Sequence, residues 1–309
     1  MIKTLNFLLA LLLLVSLGCS TGKKEIDHSG FAAVDMDALD DDEKVQPLIN
    51  VNREGTGNNS EMGEAKKVVG LVFGPGMNRT VGYVPLVKHL KNNNISYHVL
   101  MGSGVGAIFA AYIALGETHN KIEWEFHQMI KELEGKKPYG PEWIETLDKK
   151  ILVKFKGKKI QELDKLLLIP LYDTRKDQIS YFYRGDLYLA LKYNFQLLTK
   201  KEGQKYLSGI KSSPYMVSEL DRFGVDNWFG FDTLGDDLSF ERVGDDYLIG
   251  VLGQLISTRE TALKDYDGFY QLPMSDMPLD SVKNIPRYLK YADNKAKQIA
   301  LEMKEVIKN

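Results

Sequence analysis

A chain of 309 residues that is 44% hydrophobic and 10% aromatic can bury one sizeable core, and a formal net charge of -2 gives no global reason to expect nucleic acid. No Cys/His spacing of the zinc type and no basic recognition motif occurs, which argues against nucleic-acid binding and against a zinc site. Helical and strand-like patterns alternate over most of the length, so one large α/β domain is the economical expectation.

The first segment, residues 1–18, reads as a targeting signal. Lys3 and Leu5 precede an unbroken apolar run from Phe7 to Val15, followed by Ser16-Leu17-Gly18-Cys19. The run is too short to span a membrane as a mature helix. Small residues ahead of the only cysteine resemble a bacterial lipoprotein signal, in which Cys19 is acylated and becomes the new N-terminus. Leucine stands two positions before the cysteine where three is usual, so an ordinary secretory signal with a chance cysteine is the alternative. Stable anchoring takes more than one acyl chain, which lipoprotein processing supplies. The resemblance implies a protein held in a bacterial cell envelope by its lipid, and Ser20 in place of aspartate points to the outer membrane. Residues 19–67 carry GKK, the acidic run Asp40-Asp41-Asp42-Glu43 and GTGNNS without a sustained period, and read as a flexible polar tether.

From Val68 the pattern changes. VVGLVF is a continuous apolar run of the kind that forms a strand buried on both faces, which implies a parallel sheet. The loop GPGMNRT leads to a helix with Val84, Val87 and Leu90 at helical spacing, closed by asparagines. SYHVLM is the next strand, GSG a turn, and VGAIFAAYIALG a helix apolar nearly all round, ended by Gly116. Helices follow at Lys121 to Leu133 and at Pro141 to Lys150, the second with proline in its first turn. LLLIPLYDTRKDQISYFYRG reads as two strands joined at Thr174 to Asp177, and LYLALKYNFQLL as an amphipathic helix. PYMVSELDRFG predicts a helix and VDNWFGFD a strand. A helix around Tyr247 to Leu263, an extended GFYQLP and a helix from Asn294 to Ile307 complete the chain.

Four of these pieces, in order and spacing, resemble the patatin-like phospholipase family over residues 68–309. GLVFGPGMNRTVGYVPLVKHL looks like the family's glycine-rich loop and the helix after it. MGSGVGAIFAAYIALG looks like its nucleophile elbow and buried helix. KGKKIQELDKLLLIPLYDTRKDQISYFYRGDLYLAL looks like its later crossover and strand pair, and PYMVSELDRFGVDNWFGFD like the segment after its catalytic Asp-Gly. The resemblance implies a three-layer α/β/α fold with a mainly parallel sheet, and a serine–aspartate dyad acting without a cofactor.

The departures from the pattern fall on the chemistry. Gly104 stands where the family has its serine, between the elbow glycines Gly102 and Gly106, and glycine has no atom that can form an acyl-enzyme. Ser103 is the fallback nucleophile, although an elbow centred on it would put Met101 and Val105 where the turn calls for small residues. Counting back from Pro214 puts the family's Asp-Gly on Ser208-Gly209, and a serine hydroxyl is a poor general base near neutral pH. Asp267-Gly268 comes too late in the order to replace it. The oxyanion loop Gly74, Pro75, Gly76, Met77 with Arg79 has proline where a backbone N–H is wanted, and Met77 where glycine is usual, while Arg79 keeps the family's basic position.

The expectation is therefore a domain that binds lipid or an envelope protein and has lost hydrolysis. The alternative is a lipid acyl hydrolase with displaced groups, with Ser103 or Ser208 as its nucleophile. GSGVGA lacks the GK[ST] of a phosphate loop. His28, His89, His98, His119 and His127 are scattered and show no metal spacing, so no metal and no cofactor is expected. The basic run Lys149-Lys150, Lys154, Lys156, Lys158-Lys159 reads as a solvated face, or as a contact for anionic headgroups.

Overall fold

The computed structural model describes residues 33–34, 67–196, 205–212, 223–241, 246–262 and 266–308. The signal segment, Cys19, nearly all of the tether and residues 214–222 of the expected helix at PYMVSELDRFG lie outside them. In chain order the strands are β1 (Ala33–Val34), β2 (Val69–Phe73), β3 (Val99–Gly102), β4 (Leu166–Asp173), β5 (Gln178–Phe182), β6 (Tyr206–Ser208), β7 (Asn227–Asp232) and β8 (Gly268–Gln271). The α-helices are α1 (Tyr83–Asn92), α2 (Val105–Ala114), α3 (His119–Leu133), α4 (Pro141–Phe155), α5 (Leu187–Tyr193), α6 (Asp246–Ala262) and α7 (Ile285–Lys308).

β4, β3, β2, β7 and β8 lie side by side in that order, every pair parallel. The far end of β4 carries β5 and β6 as antiparallel partners, and β1 pairs with β5. The chain is thus mixed α/β with a mainly parallel sheet, as its continuous apolar runs require. All residues of β2, β3 and β7 are buried, because both faces of the sheet are covered. Val69, Leu71, Phe73, Leu100, Phe229 and Phe231 face the helices α1 to α5 and α7. Val68, Val72, Val99, Met101 and Trp228 face the other way. β7 lies on the far side of β2 from β4, so the chain must cross back to reach it. Phe223 and Val225, at the described end of this connection, pack on that other face beside Trp228. Gly70, the register partner of Trp228, leaves room for the indole, since a Cβ on it would lie 2.4 Å from a ring carbon.

A third apolar cluster closes the C-terminal ends of the strands. Leu248, Leu252 and Leu255, on one stripe of α6, meet Met77, Ile210, Leu234 and Leu279 there. The chain departs from the pattern expected of it at several ends. α4 runs on to Phe155 because Leu147, Ile151 and Phe155 continue its buried stripe through the lysine-rich stretch. α7 starts at Ile285, nine residues before the expected start, with Pro286 tolerated in its first turn. Ala33–Val34, within the stretch expected to be a tether, form the short edge strand β1.

Candidate active site

β3 ends at Gly102 and α2 begins at Val105, so the chain reverses within two residues. Gly104 makes the turn with φ 57° and ψ -133°, a conformation open to glycine at little cost and strained for other residues. The glycines on either side are there for space. A Cβ on Gly102 would lie 2.4 Å from the Gly106 carbonyl oxygen, and one on Gly106 would lie 2.4 Å from the Gly74 carbonyl oxygen. The strand-to-helix turn is centred on Gly104, therefore, with Gly102 and Gly106 as its small flanks. Ser103 precedes the turn; its hydroxyl is fully buried and has no hydrogen-bond partner among the described residues.

Above Gly104 there is little room. A Cβ built on it would lie 2.6 Å from Ile210 Cδ1, 3.3 Å from Pro75 Cβ and 3.5 Å from the Tyr139 hydroxyl. Ser208 ends β6 and Gly209 follows it, and the contact from this segment to the elbow is made by Ile210. Ser208 is itself fully buried. Its N–H donates to the Gln196 carbonyl at 3.0 Å, and its Oγ accepts from the Ile210 N–H at 3.4 Å. Gly209 lies against β4, where a Cβ would meet the Pro170 carbonyl oxygen at 2.4 Å.

The glycine-rich loop has most of its donors committed. The Gly74 N–H donates to the Phe231 carbonyl at 2.9 Å, Asn78 N–H to Leu279 at 3.1 Å and Arg79 N–H to Gly76 at 2.9 Å. Pro75 has no N–H to offer. Met77, at φ 50°, turns its side chain into the apolar cluster under α6. A Cβ on Gly76 would lie 2.0 Å from Thr233 Oγ1, so the loop is pressed onto the end of β7. Thr80 and Thr233 keep buried hydroxyls with no hydrogen-bond partner among the described residues.

Arg79 is fully buried and its guanidinium is taken up mainly by backbone carbonyls. Its guanidinium donates to the carbonyls of Met277 and Leu234, to Asp237 at 2.8 Å and Ser275 at 2.7 Å, and to the Ser239 hydroxyl at 3.4 Å. Burial pushes its pKa down to about 10, opposed by Asp237 and Asp232, so it stays charged at neutral pH. The basic residue thus ties the loop to the segments after β7 and β8.

Several contributors were not legible as site residues. Asn194, after α5, clamps the elbow from below: its Nδ2 donates to the Gly104 carbonyl at 2.6 Å, and its Oδ1 accepts from the Gly104 N–H at 3.2 Å. In sequence it falls within the expected amphipathic helix LYLALKYNFQLL, whereas α5 ends at Tyr193 and leaves Asn194 at its C-cap. Tyr83, at the start of α1, donates within reach of the Gly74 and Phe231 carbonyls at 3.1 and 2.9 Å. Burial, reinforced by the Asp232 carboxylate, pushes that phenol well above its ordinary pKa. Asp232 ends β7 with no exposed surface, accepting from the N–H groups of Leu234 and Gly235 and from Arg259 Nη1 at 2.9 Å. Among the described residues no group of three or more His, Cys, Asp or Glu is placed to hold a metal ion, and no helix is long and apolar enough to cross a membrane.

No family model matches the chain, and no curated protein matches it. Among solved structures it is similar to VipD from Legionella pneumophila, with a TM-score of 0.43 and 9% identity over 79% of this chain and 67% of that one. It is also similar to the type III effector protein ExoU, with a TM-score of 0.40 and 13% identity over 78% of this chain. The match spans 53% of that second protein.

Proposed function

We propose that residues 68–309 form a patatin-like domain without acyl hydrolase activity, held at a bacterial envelope, at the outer membrane, through acylated Cys19, and that it acts by binding lipid or an envelope protein. The observation that carries this reading is Gly104. The turn has the strained backbone and the small flanks of a nucleophile elbow, yet its central residue has no side chain, and Ile210 occupies the space a nucleophile would use. Loss of the nucleophile costs on the order of 10⁶ in rate in a serine hydrolase, and loss of one oxyanion donor about 10²–10³. Asn194, Met77 and the committed N–H of Gly74 support the same reading, because they hold the turn and its loop in place through contacts that need no substrate.

The second reading, a hydrolase that uses a displaced serine, is favoured by one observation: the Ser103 hydroxyl lies next to the turn, buried and without a hydrogen-bond partner among the described residues. Phospholipid and short-chain ester hydrolysis by the full chain decides between them. The expected result is no turnover above that of a Ser103→Ala, Ser208→Ala double variant. Turnover abolished by either single alanine would establish the hydrolase and overturn the non-catalytic reading. For the anchor, Cys19→Ala is expected to abolish incorporation of radiolabelled fatty acid, and equal labelling of the variant would refute acylation at that residue.

A further inference from the structure

One open cleft among the described residues lies away from the elbow. Between α2, α3 and α4 there is a cleft of about 840 Å³, within the range of ~300–1,000 Å³ that small-molecule sites occupy. At its bottom lie the buried side chains of Ile108 and Tyr112 of α2, Phe126 and Met129 of α3 and Ile151 of α4, with Lys154 Nζ 5.1 Å over the Tyr112 ring. Neither Gly104 nor Pro75 nor Ile210 is among its walls.

The rim is charged, and the way its charges pair decides the sign. The three carboxylates of the lining are all engaged: Glu117 with Lys154, Glu132 with Lys150 at 2.6 Å and Glu125 with Lys121 at 2.9 Å. Three rim lysines are left over. Lys158 has no carboxylate partner among the described residues, Lys136 donates to the Glu132 carbonyl, and Lys149 is held by Glu145 in a pair exposed on both sides. Such an exposed pair is worth little, so Lys149 is available to another anion. The cleft thus presents an apolar floor beneath a net positive edge. Thr146 and the Tyr112 hydroxyl are the only uncharged polar side-chain groups in the lining, which leaves a sugar or a base with almost no partners. No arginine is present to grip a phosphate bidentately. A ligand that satisfies the whole lining has one long hydrocarbon chain and one compact negative charge.

We infer that this cleft binds a single long-chain fatty acid, its hydrocarbon on the Tyr112–Phe126–Met129 floor and its carboxylate at the lysine rim. The inference deepens the lipid-binding side of the proposed function and rests on it for the choice of ligand class. Val153, 88% exposed on the cleft edge, adds apolar surface where the chain would enter.

The test uses the full chain in phosphatidylcholine vesicles, labelled with a photoreactive diazirine analogue of palmitate and mapped by peptide mass spectrometry. Label is expected on peptides within residues 108–158, competed by palmitate but not by hexadecylamine. Lys149→Glu with Lys158→Glu should weaken competition by palmitate about tenfold, and Thr146→Trp should block the cleft without changing its charge. All three positions are exposed or half-buried, and circular dichroism checks that the variants fold. Label that palmitate does not compete, label mapped elsewhere, or competition unchanged in both variants would overturn the site. Such a failure, with ester hydrolysis still absent, leaves the non-catalytic reading intact. Hydrolysis abolished by Ser103→Ala would do the reverse.

Discussion

At the scale of single residues, the turn at Gly104 is held from two sides, and each side makes a stability prediction. A side chain at φ 57° costs about 1–3 kcal/mol in backbone strain, so Gly104→Ala should destabilise the chain by that amount. Because the new Cβ would also press on Ile210 Cδ1, Ile210→Ala should cost less in the Gly104→Ala background than alone, with a coupling of ~0.5 kcal/mol or more in a denaturant-melt double-mutant cycle. Strictly additive losses would mean that the contact is not made. Asn194→Ala strands the buried N–H of Gly104, while the Gly104 carbonyl keeps the Ala107 N–H at 3.1 Å, so the cost is about 1–3 kcal/mol for the one unsatisfied group and should shift the urea midpoint accordingly without changing the slope. The elbow glycines were legible in sequence because small residues at fixed spacing announce a crowded turn. Asn194 was not, since its role depends on a contact 90 residues away in the chain. Arg79 was legible only as a basic position, and sequence gave no sign that backbone carbonyls would surround it.

At the scale of elements, α6 is the piece of the site cover most easily detached. Its contacts are a satellite cluster with Met77, Ile210, Leu234 and Leu279, separate from the main core. Besides that cluster it is held by Arg259, whose Nη1 reaches the Asp232 carboxylate at 2.9 Å; the arginine side chain is 11% exposed and the carboxylate fully buried. Breaking such a pair from one side leaves a buried charge and costs about 3–5 kcal/mol. Arg259→Met should therefore raise amide hydrogen exchange in α6 and in the loop at Met77 well before it affects β2, β3 or α2. Uniform loss of protection across the sheet would show instead that α6 unfolds only with the whole domain. The parallel strands, the buried helix α2 and the hairpin of β4 and β5 were legible because each is set by its own apolar pattern. β6 is three residues long and is defined by its pairing with β4, and β1 is two residues paired with β5, so neither has a pattern to read. The extra turns of α4 were masked by lysines that cover its outer face while Ile151 and Phe155 continue the inner one.

At the scale of the whole molecule, the buried phenols set how the fold meets alkali. Tyr83 and Tyr112 are buried and Tyr139 is half-buried, and desolvation pushes each pKa well above its ordinary value. Tyr97 is shifted the same way by the same cause. A phenol whose folded pKa exceeds its unfolded one adds stability that is fully present below pH about 10 and is lost as pH rises toward the folded value, at up to ~1.4 kcal/mol per pH unit for each group. Arg79 works in the opposite sense. Its folded pKa is lowered to about 10, so between there and its unfolded value deprotonation favours the folded chain. One guanidinium set against several phenols leaves a net loss. Stability should therefore hold up to about pH 10 and then fall steeply. Tyrosinate absorbance should rise in two stages, exposed phenols first and the buried ones together with the loss of helical circular dichroism. A Tyr139→Phe variant removes one of these groups and should unfold at higher pH than the parent chain. Titration of all sixteen tyrosines in one step, with the helical signal intact, would show that alkali reaches the phenols without opening the core.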